Sequence, residues 1–263
     1  MIQQFKNLHK REQPVVLLNI WDNETADMLV QNNINIIATS SYAIAKNIGI
    51  EDGENLSFQK LLTIAKKIPG KFLSVDIESG YASTISELQT NTKILLESNI
   101  VGINIEDKFP DTHNLMNKEL FVDRIKAIKK VDTLNQLFIN ARTDIFFFDD
   151  IEGKNISTKT LDNAIALILE YSNAGIDGIF IPGLKNKKFI EKIVEQINIP
   201  LNIMLDIKND KIEDYLNLGI SRISYGPSLY LDWTTSGLSK EMYFSQIIEL
   251  FHNLQEQGKI KLA

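Results

Sequence analysis

Apolar residues along the chain gather in short continuous runs, separated by longer stretches in which they recur at roughly helical spacing. Runs such as VVLLN, INIIAT and GIFI do not alternate with polar residues, the pattern of strands buried on both faces, as in a parallel sheet clothed by helices. Eight strands are predicted: 15–19, 34–39, 72–76, 101–106, 137–142, 178–181, 201–204 and 222–225. Helices are predicted between them near 23–32, 57–67, 84–98, 118–131, 157–174, 186–197 and 210–218, with a last one near 239–256. The third carries an imperfect stripe of Ile85, Leu88, Leu95 and Leu96. Thr84 with Glu87 three residues on reads as its capping box. Eight βα units with no Pro/Gly/Ser linker between them predict one α/β domain over 1–263, a closed (β/α)8 barrel of the TIM type. A doubly wound open sheet is the structural alternative. The last helix, with Met242, Phe244, Ile247, Ile248 and Phe251, must bury its apolar face on its own barrel or a partner's. The segment 108–117, KFPDTHNLMN, has no clear periodicity and is the candidate lid.

Composition narrows the chemistry. With 263 residues and 44% hydrophobic content the chain can bury a large core. A formal net charge of −6 gives no basic field for nucleic acid or an anionic membrane. The absence of cysteine excludes disulfides, thiolate nucleophiles and Cys-ligated metals. The N-terminus lacks the apolar core of a signal peptide and no run is long enough to span a membrane, so a cytoplasmic protein is expected.

In a barrel of this class the active site lies at the C-terminal ends of the strands. The second predicted strand ends in Thr39-Ser40-Ser41, the third in Asp76-Ile77-Glu78, the fourth in Asn104-Ile105-Glu106-Asp107 and the fifth in Asn140-Ala141-Arg142-Thr143-Asp144. Asp76, Glu78 and Glu106 at one mouth would repel one another without a cation between them. Oxygen donors without imidazole or sulfur suit Mg²⁺ or Mn²⁺. The plainer role of such acids is helix capping or pairing with lysine. Arg142 suits a bidentate contact to an acidic substrate group, or a rim salt bridge to Asp144. Ser40, Ser41 and the Tyr42 amide form a turn that can receive an anion or simply cap a helix. Asp52 lies in a loop beside Gly53. Of the three histidines, His9 and His252 are expected at the surface or in packing, and His113 sits in the candidate lid. Trp21 and Asp22 are expected to pack and to cap a helix.

The segments LLNIWDNETADML, ATSSYAIAKNIGIEDGENLS, SVDIESGY, GINIEDK, FINARTD, AGIDGIFIPGL, PLNIM and ISRISYGPSLY, in this order from about Pro14 to Tyr230, resemble the isocitrate lyase and phosphoenolpyruvate mutase superfamily. The resemblance implies a barrel, often with its last helix exchanged between subunits of a dimer or tetramer, that binds Mg²⁺ and a small α-keto or 2-hydroxy acid. It implies Asp76 as direct metal ligand, Glu78 through water and Glu106 as the third carboxylate. It places Ser40, Ser41 and Tyr42 on substrate oxygens, Arg142 on the substrate's acidic group and Asp52 at the reacting group. Two departures matter. The Lys-Lys-Cys-Gly-His segment of isocitrate and methylisocitrate lyases is replaced by EDKFPDTHNLM. The gating loop of the mutase and phosphonopyruvate hydrolase members is one residue shorter here, with Asp111 about where their lysine falls, so Lys108 or Asn114 would have to act instead, His113 being a separate catalytic candidate in the lid. The expected activity is carbon–carbon cleavage through a pyruvate-enolate-like intermediate, as in an oxaloacetate decarboxylase or a methylisocitrate-lyase-like enzyme. The alternatives are a phosphoenolpyruvate mutase, carboxyvinyl-carboxyphosphonate phosphorylmutase-like or phosphonopyruvate hydrolase activity, and a barrel that binds a metabolite without turning it over.

Overall fold

Parallel hydrogen bonding closes the strands into a ring in the computed structural model, which describes residues 1–112, 114–149 and 158–262. The strands are β1 (Val15–Ile20), β2 (Ile36–Thr39), β3 (Phe72–Asp76), β4 (Gly102–Glu106), β5 (Phe138–Arg142), β6 (Gly178–Ile181), β7 (Leu201–Met204) and β8 (Arg222–Ser224), with β8 pairing back to β1. The helices are α1 (Ile2–Lys6), α2 (Asn23–Gln31), α3 (Ser41–Asn47), α4 (Phe58–Ala65), α5 (Ile85–Leu96), α6 (Lys118–Val131), α7 (Ile145–Asp149), α8 (Thr158–Ala174), α9 (Lys187–Gln196), α10 (Ser228–Ser236) and α11 (Lys240–Glu256). The predicted barrel is therefore the observed one. Its register aligns Asp76 with Asn104, Asn104 with Asn140, and Glu106 with Arg142, which brings the polar ends of β3, β4 and β5 side by side.

Local chemistry explains most element boundaries. The predicted box at α5 is present, with Thr84 Oγ1 accepting from Glu87 N and the Glu87 carboxylate accepting from Thr84 N. Asp22 caps α2 through Thr25 in the same reciprocal way, and Trp21 stacks on Trp233 beneath α10. No α-helix forms over 210–218, where a single 3-10 turn spans Ile212–Asp214. Asp206 Oδ1 accepts from the Lys208 and Asn209 amides, and Asp210 Oδ2 from the Asp206 amide, so side chains hold this segment in turns. The helix α11 lies on its own barrel beside α2, burying Phe244, Ile247, Ile248 and Phe251 but leaving Met242 exposed.

The N-terminal end of the barrel is stoppered by α1. Phe5 enters a cluster of Val15, Leu17, Ile36, Phe72 and Phe138. Gly102 makes room for it, since a Cβ there would stand 3.1 Å from the Phe5 ring. His9 stacks on Phe138 with ring centroids 4.3 Å apart, so packing is its role. Its Nδ1 donates to the Phe5 carbonyl at 2.9 Å, and Nε2 is buried without a partner among the described residues.

Burial, reinforced by the nearby Arg222 charge, lowers the His9 pKa from 6.5 to about 3. The folded barrel keeps this ring neutral while the unfolded chain protonates it below pH 6.5, so stability is complete above that pH and drains away as pH falls toward 3. The loss from this one group is expected to be on the order of 3 kcal/mol by pH 4. Chemical denaturation of wild-type and His9→Gln proteins at pH 7 and pH 4 checks it: the substituted protein should show the smaller difference between the two.

Candidate active site

Strand ends and short turns place the acidic side chains. Thr39 Oγ1 accepts from the Asp76 amide at 2.9 Å and ties the tip of β2 to that of β3. Ser40 caps α3, its hydroxyl accepting from Ala43 N, whereas Ser41 Oγ donates to Asp76 Oδ2 at 3.0 Å. The Glu78 amide donates to Asp76 Oδ1. Ser40, Ser41, Tyr42, Asp52, Asp76 and Arg142, six of the residues predicted for the site, border one cavity of about 150 Å³. Phe147, Phe180, Met204 and Pro227 give it an apolar side, with the Arg142 guanidinium 5.7 Å from the Phe180 ring centroid, and Asn104 also borders it.

Other predicted residues stand back from this cavity. Glu78, at a left-handed φ of 47°, turns its carboxylate away to accept from Tyr81 Oη at 2.8 Å and from the Glu54 amide at 2.7 Å. Such a backbone costs a non-glycine residue about 1–2 kcal/mol. Glu106 pairs with Arg142 at 3.1 Å and Lys108 at 3.4 Å. Arg142 also forks onto Asp144, at 2.7 and 2.8 Å, so it makes the rim salt bridge as well as bordering the cavity. Lys108 opens a small hairpin, bridging to Leu115, with Phe109 N donating to the Asn114 carbonyl. Asn114 is exposed and does not border the cavity. His113 lies outside the described residues.

Glu54 was missed by the sequence reading. Its carboxylate accepts from Ser79 Oγ at 2.7 Å and Tyr81 N at 2.9 Å, fastening the Asp52 loop to the turn after β3. Its only sequence signal was its place two residues beyond Asp52.

The electrostatics follow from crowding. Burial and then Glu106 raise the Asp52 pKa, and burial raises that of Asp76 against the pull of Arg142. Glu78 is pushed up to about 8 by burial and by Asp52 and Asp76. Asp144 alone of these acids is held down, because Arg142 and Lys108 outweigh its burial. The Oδ1 atom of Asp52 is buried without a partner among the described residues. Asp52, Asp76, Glu106 and Asp144 thus outnumber Arg142 and Lys108, and the surplus negative charge faces the cavity.

That surplus suits a hard divalent cation. Among the described residues, no three His, Asp or Glu side chains converge closely enough to enclose a metal by themselves. Mg²⁺ needs no such enclosure, since it commonly takes one or two carboxylates and keeps several waters. Asp76, with Asp52 nearby, offers a donor set of that kind.

The sequence profile of the phosphoenolpyruvate phosphomutase family matches residues 5–240. The chain belongs to this family. Over part of its length it also matches a 2-methylisocitrate lyase of Halalkalibacterium halodurans, 30% identical over 134 residues, covering 48% of this chain and 40% of that one. An uncharacterized Mycobacterium tuberculosis protein is 28% identical over 228 residues, covering 86% of this chain and 83% of that one. The crystal structure of a candidate phosphonomutase from Burkholderia cenocepacia superposes with a TM-score of 0.83 at 29% identity, covering 89% of this chain and 96% of the other. A phosphonopyruvate hydrolase solved with oxalate and Mg²⁺ shares the fold at a TM-score of 0.74 and 17% identity, covering 98% and 87%.

Replacing Glu54 by Ala removes the two bonds its carboxylate accepts and should cost about 2 kcal/mol. Hydrogen exchange is the direct measurement: amides over 52–55 and at Tyr81 should exchange faster, while those of β3 and β4 keep their protection.

Proposed function

We propose that the protein is a Mg²⁺-dependent lyase that cleaves a carbon–carbon bond in a small α-keto or 2-hydroxy acid and releases a pyruvate-like enolate. The observation that carries this reading is the shared cavity, in which Asp76, Asp52 and Arg142 face a space of about 150 Å³. That volume suits an acid of a few carbons and is well below the range of drug-sized pockets.

Asp76 would hold the Mg²⁺ directly, while Glu106, held by Arg142 and Lys108, and Glu78, turned onto Tyr81 and the Glu54 amide, would act on it as charges set back from the cavity. When bound, the ion would act as a Lewis acid toward the keto and carboxylate oxygens. Arg142, already oriented by Glu106 and Asp144, binds the substrate's acidic group, and Ser40, Ser41 and Tyr42 receive its oxygens. In oxaloacetate the bond between the terminal carboxylate and the carbon beside the ketone breaks, carbon dioxide leaves, and the electron pair of that bond moves through the carbon to the keto oxygen to give the enolate of pyruvate. Asp52, on the cavity wall with one carboxylate oxygen unpartnered among the described residues, is placed to relay a proton to the enolate carbon. The apolar wall of Phe147, Phe180 and Met204 keeps water from the departing fragment. Lys108, His113 and Asn114 belong to the 108–117 lid in this reading.

A phosphonate reaction is the second reading, favoured by the family match over residues 5–240. Charge argues against it. A phosphoryl dianion brings more negative charge than a carboxylate, and among the described residues bordering the cavity Arg142 is the one cation that would stand beside the metal, already spanned by two carboxylates.

Purified protein with Mg²⁺ should release pyruvate from oxaloacetate or methylisocitrate. Phosphate released from phosphonopyruvate alone would reverse the order of the two readings, and stabilisation by oxalate with Mg²⁺ but no turnover of any substrate would leave a binding barrel. Asp76→Ala should lower turnover by at least about 10²-fold and abolish Mg²⁺-dependent oxalate binding. Its melting temperature should change little, because relief from burying the carboxylate offsets the loss of Arg142's attraction and of the bonds from Ser41 Oγ and the Glu78 amide.

A further inference from the structure

Beneath the cavity the barrel interior is polar where such interiors are usually filled by branched apolar side chains. Ser74, Asn104, Asn140, Asn202 and Arg222 are all buried there. Arg222 reaches across from β8, and NH2 stands 3.3 Å from both Ser74 Oγ and Asn104 Oδ1. Its Nε and NH1 are buried without partners among the described residues. The structure shows no carboxylate paired with it among those residues, and burial lowers its pKa to about 9. An unpaired guanidinium is a poor way to stabilise a core, so its placement calls for another explanation.

Its neighbour supplies one. A guanidinium can only donate, so the atom of the Asn104 amide that faces it must be the oxygen. Asn140, paired with Asn104 across the β4–β5 register, donates its Nδ2 to the same oxygen at 2.9 Å. Both acceptor positions of Oδ1 are then taken from below and from the side. The Asn104 NH2 is left facing the other way, and it donates to no acceptor among the described residues. Asn104 borders the cavity and sits next to Asp76 in register.

We infer that Asn104 is a substrate-binding residue, donating from Nδ2 to a carboxylate or enolate oxygen of the ligand, and that Arg222 is the positioning residue that fixes the direction of that amide. This deepens the proposed function and rests on its ligand class. A fixed neutral donor selects acids that present an oxygen acceptor at this point and disfavours those with a methyl group or a donor there.

Calorimetric titration of oxalate in the presence of Mg²⁺, with thermal unfolding measured in parallel, tests the pair. Asn104→Leu removes the donor without adding charge and should weaken oxalate binding by about tenfold or more. Asn104→Asp gives Arg222 a carboxylate, so its melting temperature should equal or exceed that of the wild type while oxalate binding still falls. That split is not expected of a residue whose role is packing alone. Arg222→Met should weaken binding less than Asn104→Leu, and the double variant should bind no worse than Asn104→Leu alone. Wild-type affinity in both Asn104 variants would overturn the inference, as would additive losses in the double variant. Where Arg222→Met does not fold, the two Asn104 variants decide. Failure of the wild type to bind oxalate with Mg²⁺ would instead remove the ligand class itself, and it is seen before any variant is made.

Discussion

A carboxylate withdrawn from water must find a compensating charge or give up its own, and the mouth of this barrel draws in more acids than cations. Two unit charges 4 Å apart interact by about 4 kcal/mol at an effective dielectric of 20, so each unpaired neighbour matters. Arg142 and Lys108 are engaged by Glu106 and Asp144. Asp52 and Asp76 remain, one with a buried unpartnered oxygen and both with raised pKa values. A site left in this condition favours whatever brings positive charge, and an anionic substrate is more easily accommodated together with a divalent cation than without one. The small cavity and its apolar lining then limit the size of that substrate.

Much of the barrel was legible because its strands are buried on both faces and therefore read as continuous apolar runs. The rim residues were legible for the same reason, as the first polar groups after each run. What escaped reading depended on distant parts of the chain. The N-terminal α1 shows only one apolar residue that the barrel swallows, Phe5. Glu54 looked like one more acid in a loop until Ser79 and Tyr81 were found on its carboxylate. The orientation of Glu78 could not be read from DIES, because it depends on a left-handed backbone and on Tyr81 and Glu54.

The polar layer left a trace in the sequence that is clear in retrospect. Ser74 stands two before Asp76, Asn104 two before Glu106, Asn140 two before Arg142, and Arg222 two before Ser224. A period of two places each pair on the same face of its strand. Once the rim member is assigned to the interior, so is its partner one layer deeper. Apolar neighbours in these strands hide the pattern, since they point outward toward the helices. Such a layer is a poor choice for stability and a good one for orientation, because buried amides and a guanidinium have few ways to satisfy one another.

The stopper at the opposite end of the cylinder has a practical side. Met1 is exposed whereas Phe5 is wholly enclosed, so a fusion partner joined ahead of the first residue has room to project into solvent. Trimming ten residues would draw the cork. Bulk water would then rise past Phe72 and Phe138 toward the guanidinium layer, and the floor of the cavity would be lost with a segment whose helix buries a single side chain.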